Sequence, residues 1–475
     1  MILLKCDDAS KGRGLYYTGN RMSEFNEELP RSEPQGTDSE MLASLLSETF
    51  SYFVKEVNNE NGLIADKTQP GSPCSIAVVG LGLTSYVVAV KRGLLYRLDA
   101  IKKVLTVLRF FEKGHQGTEP DAMGYKGFYY HFLDMQTGRR AWKSELSTID
   151  TTFFIAGVLS AAGYFMEDNS EEKELRDIAD YLYRRIDWVW ALNGKANICH
   201  GWKPTSGFLK YYWDCDYSEA MLMYILAMGS PTFSIGKEGY EKWVATFQWK
   251  TIYDTDHLYA GPLFIHQLSH IWIDFKGIQD DFNRDKGIDY FENSRRATYV
   301  QRQYAIENQH GFAQYNENCW GFTASDGPGR SRRMIKGKQF KFYGYIARGA
   351  PFGPDDGTVS PWAVVASIPF APEIVISTIR HAIERLNLKH HTWEGFDASF
   401  NPTYPDRTKG AHGWVSPWKF GLNQGPIILM IENHESALVW NITKQNPYII
   451  DGLRKAGFRG GWLDEENRMV DPIAR

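Results

Sequence analysis

Apolar positions recur at helical spacing through most of this chain. Leu42, Leu45, Leu46, Phe50, Phe53 and Val54 form one stripe, and Val79, Leu83, Val87, Val88 and Val90 form another. The same period predicts helices over residues 100–111, 148–165, 172–189, 217–228, 240–248, 262–271, 289–308, 361–370, 372–386, 425–443 and 447–456. Strand-like alternation is scarce. One short hairpin is expected within 123–142, where the aromatic run Phe128-Tyr129-Tyr130-His131-Phe132 meets Thr137-Gly138-Arg139. Roughly a dozen helices of ~10–20 residues, joined by Gly- and aromatic-rich loops, predict an all-α fold in which inner helices pair with outer ones. Its simplest closed form is an (α/α)6 toroid whose funnel is lined by the loops at one end. No repeat of about 30–45 residues is visible, which counts against a helical solenoid. Residues 7–37 are polar and poor in aliphatics, so 1–37 reads as a leader or tether and 38–475 as one domain.

Composition narrows the partners. A 475-residue chain with 43% apolar and 23% charged residues is that of a folded protein, and a net charge of −4 offers no electrostatic attraction for nucleic acid or an anionic membrane. No apolar run is long enough to span a bilayer. The five cysteines, Cys6, Cys74, Cys199, Cys215 and Cys319, are widely spaced and are expected as free, mostly buried thiols. The start, Ile2-Leu3-Leu4-Lys5-Cys6-Asp7-Asp8, resembles the end of a lipoprotein signal. It sets a lipid anchor at Cys6, with a periplasmic or cell-surface location, against an ordinary cytoplasmic start. With 15 Trp, 26 Tyr and 27 Phe, aromatic content exceeds what a core with plentiful aliphatics needs, so some rings are expected to face a ligand.

Acids and aromatics alternate in several distant segments: Tyr315 to Pro328 with Asp326, Trp213 to Glu219, Asp355-Asp356-Gly357-Thr358, and Gly395 to Asn401 with Asp397. Such surfaces suit a sugar, which offers hydroxyls to carboxylates and flat C–H faces to rings. In Glu145-Leu146-Ser147-Thr148-Ile149-Asp150, Ser147 or Thr148 can cap a helix and Asp150 gains from the helix dipole, while Glu145 and Asp150 would stand on the funnel rim. Asp216 and Glu219 have capping-box spacing. Trp213 and Tyr217 crowd Glu219, however, and desolvation there would raise its pKa toward that of a general acid. His266 and His270 are four residues apart, as two metal ligands on one turn would be, but Gln267 stands where a metalloprotease has glutamate, and no metal or cofactor is expected. Asp355 and Asp356 suit a turn and N-cap as well as a site. Glu432, mid-helix among apolar residues, needs a partner or a function. The basic, aromatic stretch 330–350 reads either as a block closing one end of the funnel or as a solvated charged loop. No Gly-x-Ser-x-Gly elbow, P-loop or dinucleotide fingerprint is present.

Taken in order, Ser147-Thr148-Ile149-Asp150-Thr151, Tyr217-Ser218-Glu219-Ala220-Met221, Gly261-Pro262-Leu263-Phe264, His270-Ile271-Trp272-Ile273-Asp274, Trp320 to Pro328, Asp355 to Thr358 and Gly425-Pro426-Ile427 resemble the bacterial glucoamylase-like family. That family contains the β-1,2-glucan hydrolases of glycoside hydrolase family 144. The resemblance covers residues 40–458. It implies a single (α/α)6 barrel, acting as a monomer on β-1,2-linked glucose chains or short sophoro-oligosaccharides with inversion at the anomeric carbon. It makes Glu219 the proton donor, with Asp397 or Asp150 as base and Glu145 and Asp326 close behind. Tyr129, Trp142, Trp213, Trp320 and Trp362 become stacking platforms, and Asp216, His270 and Asp355 further substrate contacts. Different readings of the same acids and rings are a glycan-binding protein without catalysis, a glucoamylase acting on α-glucans, and a uronate lyase, though a lyase would want more cations in these segments.

Overall fold

The computed structural model describes residues 36–389, 394–406 and 413–464. The leader through residue 35, with Cys6, lies outside them. Helices dominate, and two kinds alternate along the chain. Ile76–Lys91, Thr148–Tyr164, Met221–Met228, Pro361–Val365 and Gly421–Ser436 are buried along nearly their whole length, as are the two short 3-10 turns Leu263–His266 and Ser269–Ile271. A helix without a polar face must be covered on all sides. The cover comes from helices that follow or precede each of these and expose one polar face: Asp38–Phe50, Arg97–Lys113, Ser170–Arg184, Glu238–Val244, Tyr290–Glu307, Pro372–Glu384 and Pro447–Lys455.

Glycines set the closest approaches between buried helices. A Cβ on Gly157 would stand 2.0 Å from the carbonyl oxygen of Gly80, and one on Gly80 would stand 2.1 Å from that of Phe153. Backbone therefore meets backbone between Ile76–Lys91 and Thr148–Tyr164. On the other side of Ile76–Lys91, a Cβ on Gly425 would lie 2.6 Å from Leu81 Cβ, so the last buried helix of the chain packs against the first. Gly157→Ala should lower stability by about 1–3 kcal/mol, despite alanine's better helix propensity, because the obstructing atom is a carbonyl that cannot rotate away. A urea midpoint at or above that of the unsubstituted protein would refute this packing account.

Several expected helices are shorter than their periodic stretch, each for a local reason. The 262–271 stretch breaks at Gln267, whose amide nitrogen donates to the Ala363 carbonyl at 2.6 Å and to Ser367 Oγ at 2.8 Å. The 425–443 stretch breaks at Ala437, which is left-handed at φ +55°. Strands are more frequent than expected, but only two to five residues long, too short for alternation to show. Five of them form an antiparallel sheet in the order Gly124–Tyr125, Phe128–Tyr130, Leu146–Ser147, Gly201–Lys203, Gly207–Phe208. Its register sets Tyr129 opposite Ser147 and Leu146 opposite Trp202. Cys74, Cys199 and Cys319 are free and buried, whereas Cys215 is disulfide-bonded, against the expectation of a free thiol. Among the described residues no helix is long and apolar enough to cross a membrane.

Candidate active site

One strand of the five-stranded sheet runs directly into a buried helix, and Glu145 and Asp150 sit at that junction. Strand Leu146–Ser147 runs into helix Thr148–Tyr164, where Ser147 is the N-cap. Its hydroxyl accepts from the Asp150 amide at 3.2 Å and donates to the Asp150 carboxylate. The neighbouring strand ends at His131, whose Nδ1 lies 3.1 Å from Glu145 Oε1 and 3.7 Å from Asp150 Oδ2. Burial alone would raise the Glu145 carboxyl, but the hydrogen bond and charge of His131 outweigh it and hold the group down at about 2. Glu145 and Asp150 therefore do come together, joined by a histidine that sequence reading missed although it follows the aromatic strand.

Glu219 stands two residues before helix Met221–Met228, which has no side-chain cap. The expected capping box does not form, because Asp216 is left-handed at φ +52° and its backbone is tied elsewhere: its amide donates to Thr246 Oγ1 at 2.8 Å and its carbonyl accepts from Trp243 Nε1 at 2.6 Å. Asp216 itself is exposed. The Glu219 backbone is steadied by Ser269, whose hydroxyl donates to its carbonyl at 3.2 Å, which leaves the carboxyl unspent. It keeps partial contact with solvent, yet burial pushes it up to about 7, with the negative charge of Asp150 adding to the rise.

Other segments supply Asp66, Asp326, Tyr345 and Asp397. Burial raises the Asp66 carboxyl, His131 and Lys67 pull it back, and Asp150 reinforces the rise. Asp326 accepts from the Gly327 amide at 2.9 Å and from Ser416 Oγ at 3.2 Å, and its carbonyl is held by Ser399 Oγ at 3.0 Å. Tyr345 is 45% exposed, yet desolvation of its phenol and then the charges of Asp66, Asp326 and Asp150 raise it. Asp397 is met by Lys419 Nζ at 3.3 Å, and Lys419 neighbours Phe420, against which Tyr345 is tilted at 5.9 Å.

Two aromatic surfaces adjoin these acids. Trp213 stacks on His200 at 3.9 Å and donates from Nε1 to Thr148 Oγ1 at 3.2 Å, which fixes it to the helix start that carries Asp150. Burial lowers His200 to about 4, so its ring is neutral near pH 7, and its Nδ1 has no hydrogen-bond partner. Trp142, 63% exposed, lies 5.0 Å from Phe132, which stacks on His131 at 3.9 Å. Asp66, His131, His200 and Tyr345 were missed in the sequence because they stand on short strands and loops that carry no period.

Other expected contacts belong to the interior. Tyr129 is fully buried, with its ring edge-on to Phe111 and Phe154 and its hydroxyl bonded to Arg185, so it has no face to offer a sugar. Trp320 is likewise buried and donates to Thr378 Oγ1 at 3.1 Å, and Trp362 is enclosed within Pro361–Val365. His270 Nε2 pairs with Ser294 Oγ at 3.0 Å, and burial lowers its ring to about 3. Asp355 accepts from Tyr304 and Tyr315 at 2.8 Å each, which locks it beneath the loops. Glu432 has the partners its apolar helix demands, Arg92 and Ser436. Tyr129, Trp320, Trp362 and His270 are thus corrected to structural positions, since a group packed on every side cannot touch a substrate, whereas Asp355 stays partly exposed.

A family model described as "Putative glucoamylase" matches residues 210–447. The exo β-1,2-glucooligosaccharide sophorohydrolase (non-reducing end) of Parabacteroides distasonis is 27% identical over 455 residues, a match covering 88% of this chain. This chain spans only 58% of that relative's length. Among solved structures, one described as a putative glucoamylase from Bacteroides uniformis superposes with a TM-score of 0.78 at 29% identity, over 90% of this chain and 100% of the other. The endo-β-1,2-glucanase of Chitinophaga pinensis, solved with sophorotriose and glucose, superposes with a TM-score of 0.76 at 25% identity, over 90% of this chain and 99% of the other.

Proposed function

The chain belongs to the glucoamylase-like family whose model it matches, and on that premise we propose that it is a glycoside hydrolase cleaving β-1,2-linked glucan or sophoro-oligosaccharides with inversion of the anomeric carbon. The observation that carries the proposal is Glu219: a half-buried carboxyl held up to about 7 with the charge of Asp150 acting on it, Asp150 in turn joined through His131 to Glu145. Support for the linkage comes from the two relatives whose names include β-1,2-glucan activity. The same reading takes residues 38–475 as one (α/α)6 toroid. It is supported by the alternation of buried and half-exposed helices and by the packing of the last buried helix on the first.

In this mechanism Glu219 gives its proton to the glycosidic oxygen, directly or through a substrate hydroxyl, as the C1–O bond breaks. Water attacks C1 from the opposite face and yields its proton to a carboxylate, so the configuration inverts and no covalent intermediate forms. We assign Asp397 as that base, a half-buried carboxylate in the segment Gly395 to Asn401 with Lys419 beside it. Asp150 is assigned to bias Glu219 by its charge and, with Glu145, to hold sugar hydroxyls. Glu145, ionised from about pH 2 upward, is unsuited to be the acid. Trp213 and Trp142 are the proposed stacking surfaces.

The test is incubation with linear β-1,2-glucan, sophorotriose and soluble starch, with the first-released anomer followed by NMR. Short sophoro-oligosaccharides or sophorose appearing as the α-anomer are expected. Cleavage of starch alone would move the same carboxylates to an α-glucan, and silence on all three would favour a glycan-binding protein. The pH profile is a second expectation. Since the donor must be protonated, kcat/KM on the cleaved substrate should fall as pH rises through about 7. A profile flat from pH 5 to 9 would remove Glu219 from the donor role.

A further inference from the structure

The 330–350 stretch is not an irregular loop. Ser331–Ile335 and Lys338–Phe342 form an antiparallel hairpin with Lys336-Gly337 at its turn. From Gly327 to Pro354 the chain carries seven Lys and Arg and no Asp or Glu. Arg348 is buried against Asp356. The other six, Arg330, Arg332, Arg333, Lys336, Lys338 and Lys341, form no ion pair with any described residue. The inner face of the hairpin is anchored: Phe340 packs on Phe312, Phe342 on Tyr404, Arg333 donates to the Tyr404 hydroxyl at 2.7 Å, and Lys338 donates to the His310 carbonyl.

The outer face runs against local physics in two independent ways. Arg332 is paired directly with Lys341 in the ladder, and like charges in cross-strand positions repel. Lys336 holds φ +47° at the first turn position, where asparagine, aspartate or glycine fits without strain. Exposed cations kept in positions that cost stability, without a counter-charge among the described residues, are placed for an anion from outside. The location narrows which anion. The ladder that pairs Ser325 with Ile346 pins the base of the hairpin beside Asp326 and Tyr345, and the charge of Asp326 acts on the Tyr345 phenol, so the hairpin springs from the candidate site.

We propose that the outer face of this hairpin, through Arg332, Lys336 and Lys341, binds acidic substituents carried by the glucan chain at the mouth of the site. The proposal rests on the glucan-hydrolase reading and deepens it, making the preferred substrate an anionic one.

The test compares neutral linear β-1,2-glucan with the same polymer lightly succinylated, for the unsubstituted protein and for the triple variant Arg332→Thr, Lys336→Asn, Lys341→Thr. These replacements favour the hairpin, because Asn-Gly suits the turn and a Thr–Thr pair suits the ladder, so misfolding is not their expected effect. For the unsubstituted protein, KM for the succinylated polymer should be about tenfold lower at low salt, and the advantage should vanish near 0.5 M salt as exposed charges are screened. The variant should lose the preference and keep its kcat and KM on neutral glucan. Equal KM for the two polymers in the unsubstituted protein, or a preference that survives in the variant, would overturn the proposal. Retardation in gels containing either polymer reads the same preference without cleavage. A protein inactive on neutral glucan would thus refute the hydrolase reading while the gels still decide this one. Binding to phosphatidylglycerol vesicles without preference for the succinylated polymer would also overturn it, in favour of a membrane surface.

Discussion

Glu219→Gln is expected to reduce turnover by about 10³-fold while leaving the fold intact, because a positioned acid contributes rate on that scale and glutamine keeps the shape without the proton. The fold should survive because the carboxyl caps no helix: Met221–Met228 begins without a side-chain cap, and Ser269 holds the Glu219 backbone instead. The stability comparison carries a sign. The folded carboxyl is raised from 4.5 to about 7, so its contribution is present in full below the unfolded value and is lost as pH rises through the folded one. At pH 8 the unsubstituted protein carries the cost of a desolvated charge at Glu219 and the glutamine variant does not. The variant should therefore unfold in urea at an equal or higher midpoint at pH 8. A variant that keeps most of its turnover, or that unfolds much earlier, would mark Glu219 as a structural residue and end its assignment as donor.

Arg348→Met is expected to produce the largest loss of stability, about 3–5 kcal/mol, the range for breaking a buried ion pair from one side. Arg348 and Asp356 are both 0% exposed, with Nε 2.7 Å from Oδ1 and Nη2 2.9 Å from Oδ2. Removing the guanidinium strands the Asp356 charge in the interior. It also releases the carbonyls of Ser325 and Gly344, which it holds at 2.8 and 3.1 Å. Those contacts flank Asp326 on one side and Tyr345 on the other, so activity should fall with stability. Urea denaturation at constant m-value measures the loss, and the double variant Arg348→Met, Asp356→Leu should recover much of it, because no buried charge is then left alone. A loss below about 1 kcal/mol in the single variant would mean that Asp356 finds another partner, and the pair would no longer explain how this wall is held.

The helical class was legible because its signal is local. Ile76–Lys91 and Thr148–Tyr164 declare themselves as buried helices by the absence of a polar face, and Arg97–Lys113 as a covering one by its stripe. Glu219, Asp150, Glu145 and Asp326 could be nominated because each stands in a segment that also carries aromatic residues. The same criterion nominated Trp320, Trp362 and Tyr129, which the structure encloses. Nothing local separates a tryptophan packed on Thr378 from one stacked beside a carboxylate, since both satisfy the same apolar preference. The hairpin 331–342 was legible as charge and illegible as structure, because five-residue strands give too few alternations to count.

The order of apolar and polar residues thus determined by itself that this chain forms helices of two kinds and that certain acids lie among rings. These are short-range consequences of side-chain period and composition. Only the tertiary structure decided which acids share one space and in what state. The bridge of His131 to Glu145 and Asp150, the pressure of Asp150 on Glu219, and the convergence of Asp66, Asp326 and Asp150 on Tyr345 join segments far apart in the chain. Desolvation and charge act through space, so the acidity of each group depends on neighbours that sequence order does not reveal.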